Sequence, residues 1–313
     1  MKDVEGKTAF ITGGASGMGL GMAKVFSENG MKVVIADIRQ DALDEAMAFF
    51  RTTNRPVHPI KLDVTDRKNW ASAADEAEAE FGNVHVLVNN AGVGVVGPMP
   101  QATYDDWDFV MNVCLWGVVN GVQTFVPRML KHKEPSHIVN NASMSGVFAS
   151  GQAGLYITAK YGVLGLTETI ATDLQNDNIG CSVYCPGPVH TNLRVSTEAT
   201  RPASLSHTGY TGPRPRLKDG RERPTIQPGQ VMDPIEVGRR VLRGIRRNDL
   251  FILSHPEFRD GIKSRGDAII RAVPDEPPNV PRAEMLKVFG TLTYNPIYDK
   301  QTNPGGAPNE KGE

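Results

Sequence analysis

Lys7-Thr8-Ala9-Phe10-Ile11-Thr12-Gly13-Gly14-Ala15-Ser16-Gly17-Met18-Gly19 passes within thirteen residues from a short apolar run into a glycine-rich turn. Lys7 to Ile11 reads as a buried strand, and the residues beyond Gly19 carry the apolar spacing of a helix. Strand, glycine turn and helix in that order open a dinucleotide-binding unit. Gly13, Gly17 and Gly19 permit a tight turn, a close approach to a diphosphate and the packing of the next helix. That helix's first amides favour the anion, with Ser16 and Met18 completing the loop.

The next apolar run, Lys32-Val-Val-Ile-Ala-Asp37, ends in a carboxylate 24 positions after Gly13. A dinucleotide fold places its ribose-binding acid there. Asp37 would accept hydrogen bonds from the adenosine ribose hydroxyls but would oppose the extra phosphate of NADP, at a cost of roughly 1–4 kcal/mol near 4 Å. NAD is therefore favoured over NADP. Arg39 is the one residue in this stretch that could turn toward a 2′-phosphate.

Apolar strands then alternate with helical stretches, at Pro56 to Val64, His85 to Asn90, His137 to Ala142, Cys181 to Cys185 and Phe251 to Ser254. Seven strands with intervening helices predict an α/β fold, a Rossmann-type doubly wound parallel sheet in a single domain over residues 1–273. Asp233, Pro234 and Glu236 spell a helix start with a capping box, and the arginine-rich stretch Val237 to Arg247 reads as a solvated face.

Composition narrows the class. The 313 residues are 40% hydrophobic with a net charge of -1, which suits one soluble domain and argues against a nucleic-acid partner. The sequence reading finds no apolar run of membrane-spanning length and no basic-then-apolar leader in Met-Lys-Asp-Val-Glu-Gly, so a cytoplasmic protein without a membrane partner is expected. Cys114, Cys181 and Cys185 lack metal-ligand spacing and read as buried thiols, with no metal site expected.

The chemistry is concentrated further along, in Ser143-Met-Ser-Gly-Val-Phe-Ala-Ser-Gly-Gln-Ala-Gly-Leu-Tyr156-Ile-Thr-Ala-Lys160. If the chain is helical from about Gly154, Tyr156 and Lys160 stand at i and i+4 and project from one face. A free phenol titrates near about 10, and a neighbouring ammonium favours its phenolate, which makes the pair a proton-transfer device. Taken alone, a tyrosine near a helix start is more often a packing residue. The cofactor loop upstream changes that reading.

Together these residues resemble the short-chain dehydrogenase/reductase family. Thr12-Gly-x-x-x-Gly17-x-Gly19 resembles its cofactor fingerprint, Asp63-Val64 its adenine contact, and Asn89-Asn90-Ala91-Gly92 its segment beside the cofactor. Asn112, Ser143, Tyr156 and Lys160 match its catalytic tetrad, and Pro186-Gly187-Pro-Val189-His-Thr191 the segment that receives the nicotinamide carboxamide. The resemblance implies that Tyr156 exchanges a proton with an alcohol as hydride moves, that Lys160 lowers its pKa and holds the nicotinamide ribose, and that Ser143 steadies the substrate oxygen. Asn112 would act through a local helix break whose carbonyl anchors water near Lys160. A homodimer or homotetramer is implied too.

Residues 193–232, rich in proline and glycine, have little apolar periodicity and would form either a substrate lid or a disordered insert. Arg194, Arg201, Arg214, Arg216, Lys218, Arg221 and Arg223 outnumber Glu198, Asp219 and Glu222, an excess that suits an anionic substrate or merely solvates the loop. Val95, Val96, Met144, Val147, Phe148 and Ala149 flank the tetrad and predict an apolar pocket for a bulky alcohol or ketone, with Val95, Met144 and Phe148 as its lining. The proline-bearing tail, 274–313, reads as extended, either an intersubunit strap or loose. Within the family, the long lid, Ala36 to Ala46, Thr103-Tyr-Asp-Asp-Trp107 and Phe251 to Glu257 are similar to bacterial Cα-dehydrogenases that oxidise the benzylic alcohol of lignin-type β-aryl ethers. Hydroxysteroid dehydrogenases are the competing reading, and a dinucleotide sensor without turnover the competitor from another class.

Overall fold

Strand β1, Thr8–Thr12, is buried at every position, as expected of a central parallel strand covered on both faces. In the computed structural model, which describes residues 1–209, 227, 229–291 and 294–313, it lies between β2 (Lys32–Asp37) and β4 (Val84–Asn89). With β3 (Val57–Lys61), β5 (Ser136–Asn141), β6 (Ile179–Cys185) and β7 (Phe251–Leu253) it forms one seven-stranded sheet of order β3-β2-β1-β4-β5-β6-β7. Every pairing is parallel. The order reverses between β1 and β4, and ligands of such sheets bind at the carboxyl ends of the strands flanking that switch.

Helices cover both faces. They run in chain order as α1 (Gly17–Glu28), α2 (Gln40–Arg51), α3 (Arg67–Phe81), α4 (Tyr104–Met111), α5 (Gly117–His132), α6 (Gly154–Asp173), α7 (Leu193–Thr200), α8 (Pro234–Arg247), α9 (Arg259–Arg271) and α10 (Val280–Val288). Strand alternation assigns the faces: Ala9, Ile11, Val33 and Ile35 pack with α1, α2 and α8, whereas Phe10, Val34 and Leu87 pack with α3, α5 and α6. Phe10 meets Phe125 at 4.9 Å and Trp70 at 6.0 Å between ring centroids, the aromatic centre of the second layer. The three cysteines are buried and free.

Several expectations need correction. The third strand stops at Lys61, so Asp63 and Val64 lie in the loop beyond it. The stretch after 193 opens with the helix α7 rather than irregular chain. Arg214, Arg216, Lys218, Arg221 and Arg223, with Asp219 and Glu222, lie outside the described residues. Asp233 does cap α8, accepting from the Ile235 amide at 2.7 Å, but no capping box forms because Glu236 pairs with Arg240 one turn on.

The arginine face of α8 is only partly solvated. Arg243 is only 6% exposed and donates to the Gly306 carbonyl at 2.7 Å, while Arg246 and Arg247 donate to the carbonyls of Lys311 and Asn303. The tail is thus strapped along its own subunit. Gln301 closes the outer edge of β7, accepting from the Phe251 amide at 2.8 Å and donating to its carbonyl at 3.2 Å. Nor is the tail wholly extended: Asn279 caps α10, with Pro281 in its first turn, so prolines read as chain extenders mark a helix start. The helical stretch 104–132, at 29 residues, is long and apolar enough by composition to span a bilayer, contrary to the sequence reading. Half of its most apolar window is buried inside this fold, which is how a core helix passes that test.

Candidate active site

Gly13 and Gly17 adopt φ of +59° and +50°, the left-handed region that side chains disfavour. A side chain at Gly19 would stand 2.0 Å from the Gly13 carbonyl oxygen, so the loop can fold onto the first turn of α1 only without one. Thr12 and Asn90 tie this loop to the end of β4. The Thr12 hydroxyl accepts from the amides of Asn90 and Ala91 at 2.9 and 3.0 Å, and the Asn90 side chain donates to the carbonyls of Thr12 and Gly13. Asn141, at the end of β5, donates to the Asn90 side chain at 3.0 Å, so three strand ends are joined by asparagine amides.

These ends open into a cleft. Gly13, Ser16, Gly17 and Met18 line it with Asp37, Asp63, Val64, Asn90, Ala91 and Gly92, as do Asn112, Tyr156 and Lys160, and Thr191 lies against Gly17. The Asp37 carboxylate accepts from the amides of Ala15 at 3.3 Å and Arg39 at 3.1 Å; burial lifts its pKa, and those amides pull against the rise. Arg39 turns elsewhere. Its guanidinium grips Asp41 at 2.5 and 3.2 Å and reaches the Ser196 hydroxyl on α7 at 3.5 Å.

Tyr156 and Lys160 project from α6 as their spacing predicts, with the Lys160 ammonium 5.5 Å from the Tyr156 ring centroid. Lys160 is 2% exposed and donates to the Asn141 carbonyl at 2.6 Å. Ser143 follows β5 and accepts from the Ser145 amide at 3.1 Å. Burial raises the phenol's pKa above its ordinary value, nearby Cys114 adds to the rise, and Ser143 opposes it. Burial lowers that of Lys160. The phenol shift therefore runs opposite to the expectation from i,i+4 spacing, because the ammonium is aimed at a carbonyl and the surroundings are dry. The helix break expected at Asn112 exists as a π-turn, Asn112–Trp116, whose first carbonyl accepts from the Gly117 amide. Cys114 in that turn both accepts from and donates to the Val93 backbone.

Other expected residues lie outside the lining of the cleft. Gly19 and Ser143 stand behind it. Val95 packs with Phe109, Leu155 and Tyr156; Met144 with Val118, Val163 and Val183; Phe148 against Phe258, 5.6 Å between centroids. The Pro186 carbonyl accepts from Met144, Gly187 donates to His255, and Val189 pairs with Met232, which fixes that segment beside the cleft without lining it. The apolar wall comes instead from Val93, Phe109, Val113, Leu193, Pro202 and Leu205. Part of this was legible: Leu193, Ser196, Thr197 and Thr200 carry the i, i+3, i+4, i+7 spacing of one helix face.

The residues present fit a nicotinamide dinucleotide: a side-chain-free loop at a helix start, a carboxylate at the end of β2, and a lysine and tyrosine lining the same cleft. A model of the short chain dehydrogenase family matches residues 7–202. The C alpha-dehydrogenase of Sphingobium sp. strain SYK-6 is 39% identical over 274 residues, covering 87% of this chain and 88% of that one. The apo form of LigO from the same strain has a TM-score of 0.73 at 41% identity, covering 94% of this chain and 98% of that one. A short chain dehydrogenase/reductase from Burkholderia phymatum in complex with NAD gives 0.76 at 31% identity, covering 90% and 100%. The family model covers more than half of the residues and the relatives most of them, and this chain is a member of the short-chain dehydrogenase family.

Proposed function

We propose that this dehydrogenase oxidises a bulky, aromatic secondary alcohol to its ketone with NAD, Asn112, Ser143, Tyr156 and Lys160 forming the relay. The observation that carries the reading is Tyr156 and a buried Lys160 on one helix face, 5.5 Å from ring centroid to ammonium, lining a single cleft that also holds Asp37. When bound, the nicotinamide supplies the hydride acceptor. Ser143 orients the alcohol oxygen, Tyr156 takes its proton at the phenol oxygen, and Lys160 holds the ribose hydroxyls while its charge favours the phenolate.

Asp37 with Arg39 diverted to Asp41 supports NAD over NADP, since of the described residues lining the cleft only Arg39 and Lys160 are cations. Phe109, Leu193 and Leu205 form a wall suited to an aryl group, and similarity to a C alpha-dehydrogenase along most of the chain supports a benzylic alcohol of β-aryl ether type. The test is reduced-nicotinamide absorbance with NAD or NADP across benzylic β-aryl ether alcohols, hydroxysteroids and small secondary alcohols. Turnover of the aryl ethers with NAD is expected. Turnover of steroids alone would replace the substrate and keep the relay, and nucleotide binding without turnover of any alcohol would leave a sensor.

A further inference from the structure

The stretch Thr103-Tyr-Asp-Asp-Trp107 has no part in the relay, yet it makes several long-range polar contacts near the cleft. Thr103 caps α4, and its amide donates to Asp106 Oδ2 at 2.9 Å. Asp106 is 0% exposed. Its Oδ2 also accepts from the Gly209 amide at 3.0 Å, and its Oδ1 accepts from Arg201 Nη2 at 2.8 Å. The Thr103 hydroxyl, with one proton to give, stands 3.0 Å from Asp106 Oδ2 and 2.8 Å from the His207 carbonyl, while the His207 amide donates to Asp105 at 3.2 Å. One turn of helix thus holds the segment 201–209 from about a hundred residues away.

Arg201 carries the hold into the cleft. Its Nε donates to the Leu205 carbonyl at 2.5 Å and its guanidinium lies 5.2 Å from the centroid of the Phe109 ring. Phe109, Thr200, Pro202 and Leu205 all line the cleft. Asp106 and Phe109 lie on α4, which runs directly into the π-turn at Asn112. Burial alone would raise the Asp106 carboxyl; the amides of Thr103 and Gly209 and the Arg201 guanidinium outweigh it and hold it at about 2, so the carboxylate is charged throughout the working range.

We propose that Asp106 is a positioning residue for the substrate: through Arg201 it fixes Pro202 and Leu205 beside Phe109 as one apolar wall for an aryl group, joined to the helix that runs into Asn112. This rests on the dehydrogenase reading of the cleft. It also reassigns Arg201, one of the cations that would suit an anionic substrate. Arg201 is bound to a buried carboxylate, and Arg194 pairs with Glu198 on the exposed side of α7, so the described part of this wall offers a neutral, flat surface.

Asp106→Asn isolates the effect. The amides of Thr103 and Gly209 at Oδ2 select the amide oxygen for that side, which turns the amide NH2 toward Arg201 and breaks that ion pair. The Michaelis constant for a bulky benzylic alcohol should rise about tenfold with kcat within about threefold, and the preference for bulky over small secondary alcohols should fall by a similar factor. NADH affinity, read by fluorescence titration, should stay within about twofold, and amide hydrogen exchange should quicken in 201–209 but not in the sheet. Arg201→Lys, which can reach Asp106 without also holding Leu205, should fall between wild type and Arg201→Ala. An unchanged Michaelis constant and preference in a folded Asp106→Asn protein would overturn the proposal, as would a parallel loss of NADH affinity, which marks a general structural role. If the wild type oxidises no alcohol, the dehydrogenase reading falls and the positioning role with it, whatever hydrogen exchange shows.

Discussion

Lys160 places its ammonium 2.6 Å from the Asn141 carbonyl oxygen, so the buried cation of the site is anchored to the end of β5 rather than aimed at the Tyr156 hydroxyl. Burial dominates both groups, raising the phenol and lowering the ammonium. In the proposed relay the general base is the phenolate, and a raised phenol pKa means that its population climbs with pH across the whole accessible alkaline range.

Alcohol oxidation should therefore accelerate steadily from pH 6 to 10, whereas ketone reduction, which needs the protonated phenol, should stay flat over the same range. Initial rates in both directions check this. Tyr156→Phe should lower kcat by about 10²–10⁴ while NADH still binds, and wild-type turnover in that variant would remove the phenol from the mechanism.

Asp41 holds Arg39 in a two-pronged pair. Asp41→Asn should free the guanidinium and raise the NADP-to-NAD ratio of kcat/KM by about three- to tenfold. The gain should vanish when Arg39→Ala is added. A gain that survives would come from the lost negative charge alone.

His137 is fully buried on β5, where burial pushes its pKa down to about 3. Ser182 donates its proton to the Asp249 carbonyl, so His137 Nε2 must donate to Ser182 at 2.7 Å, and Nδ1 has no partner among the described residues. The folded state thus excludes a proton that the unfolded chain takes up below about 6.5. Stability from this group is complete above that pH and erodes toward about 3, by up to about 1.4 kcal/mol per pH unit. Denaturant titrations between pH 7 and 4 should show this slope, and His137→Asn should flatten it even if it lowers stability throughout.

Removing residues 301–313 would strip Arg243 of its carbonyl, Asp249 of Thr302 and the β7 edge of Gln301. A loss of about 2–4 kcal/mol is expected from unpaired buried charge and lost hydrogen bonds. Denaturant unfolding measures it, and unchanged stability would show that the strap is not held in solution.

Local periodicity was enough to write down the sheet, the glycine loop, Asp37 and the Tyr156–Lys160 face, because each depends on contacts within a few residues or on strand alternation. Both the direction of the Tyr156 shift and the destination of Lys160 depend on what surrounds them in three dimensions, on Asn141 and a dry interior that no spacing encodes. The pocket wall was misassigned for the same reason: Met144 and Phe148 are near the tetrad in sequence, but Phe109 and Leu205, far apart along the chain, come together in the cleft wall. Arginines on α8 looked like a solvated stripe because their acceptors are backbone carbonyls some sixty residues away. Amino-acid order alone determined the family, because its signals are local; tertiary packing decided which charges are free and which are already spoken for, because their partners lie far away along the chain.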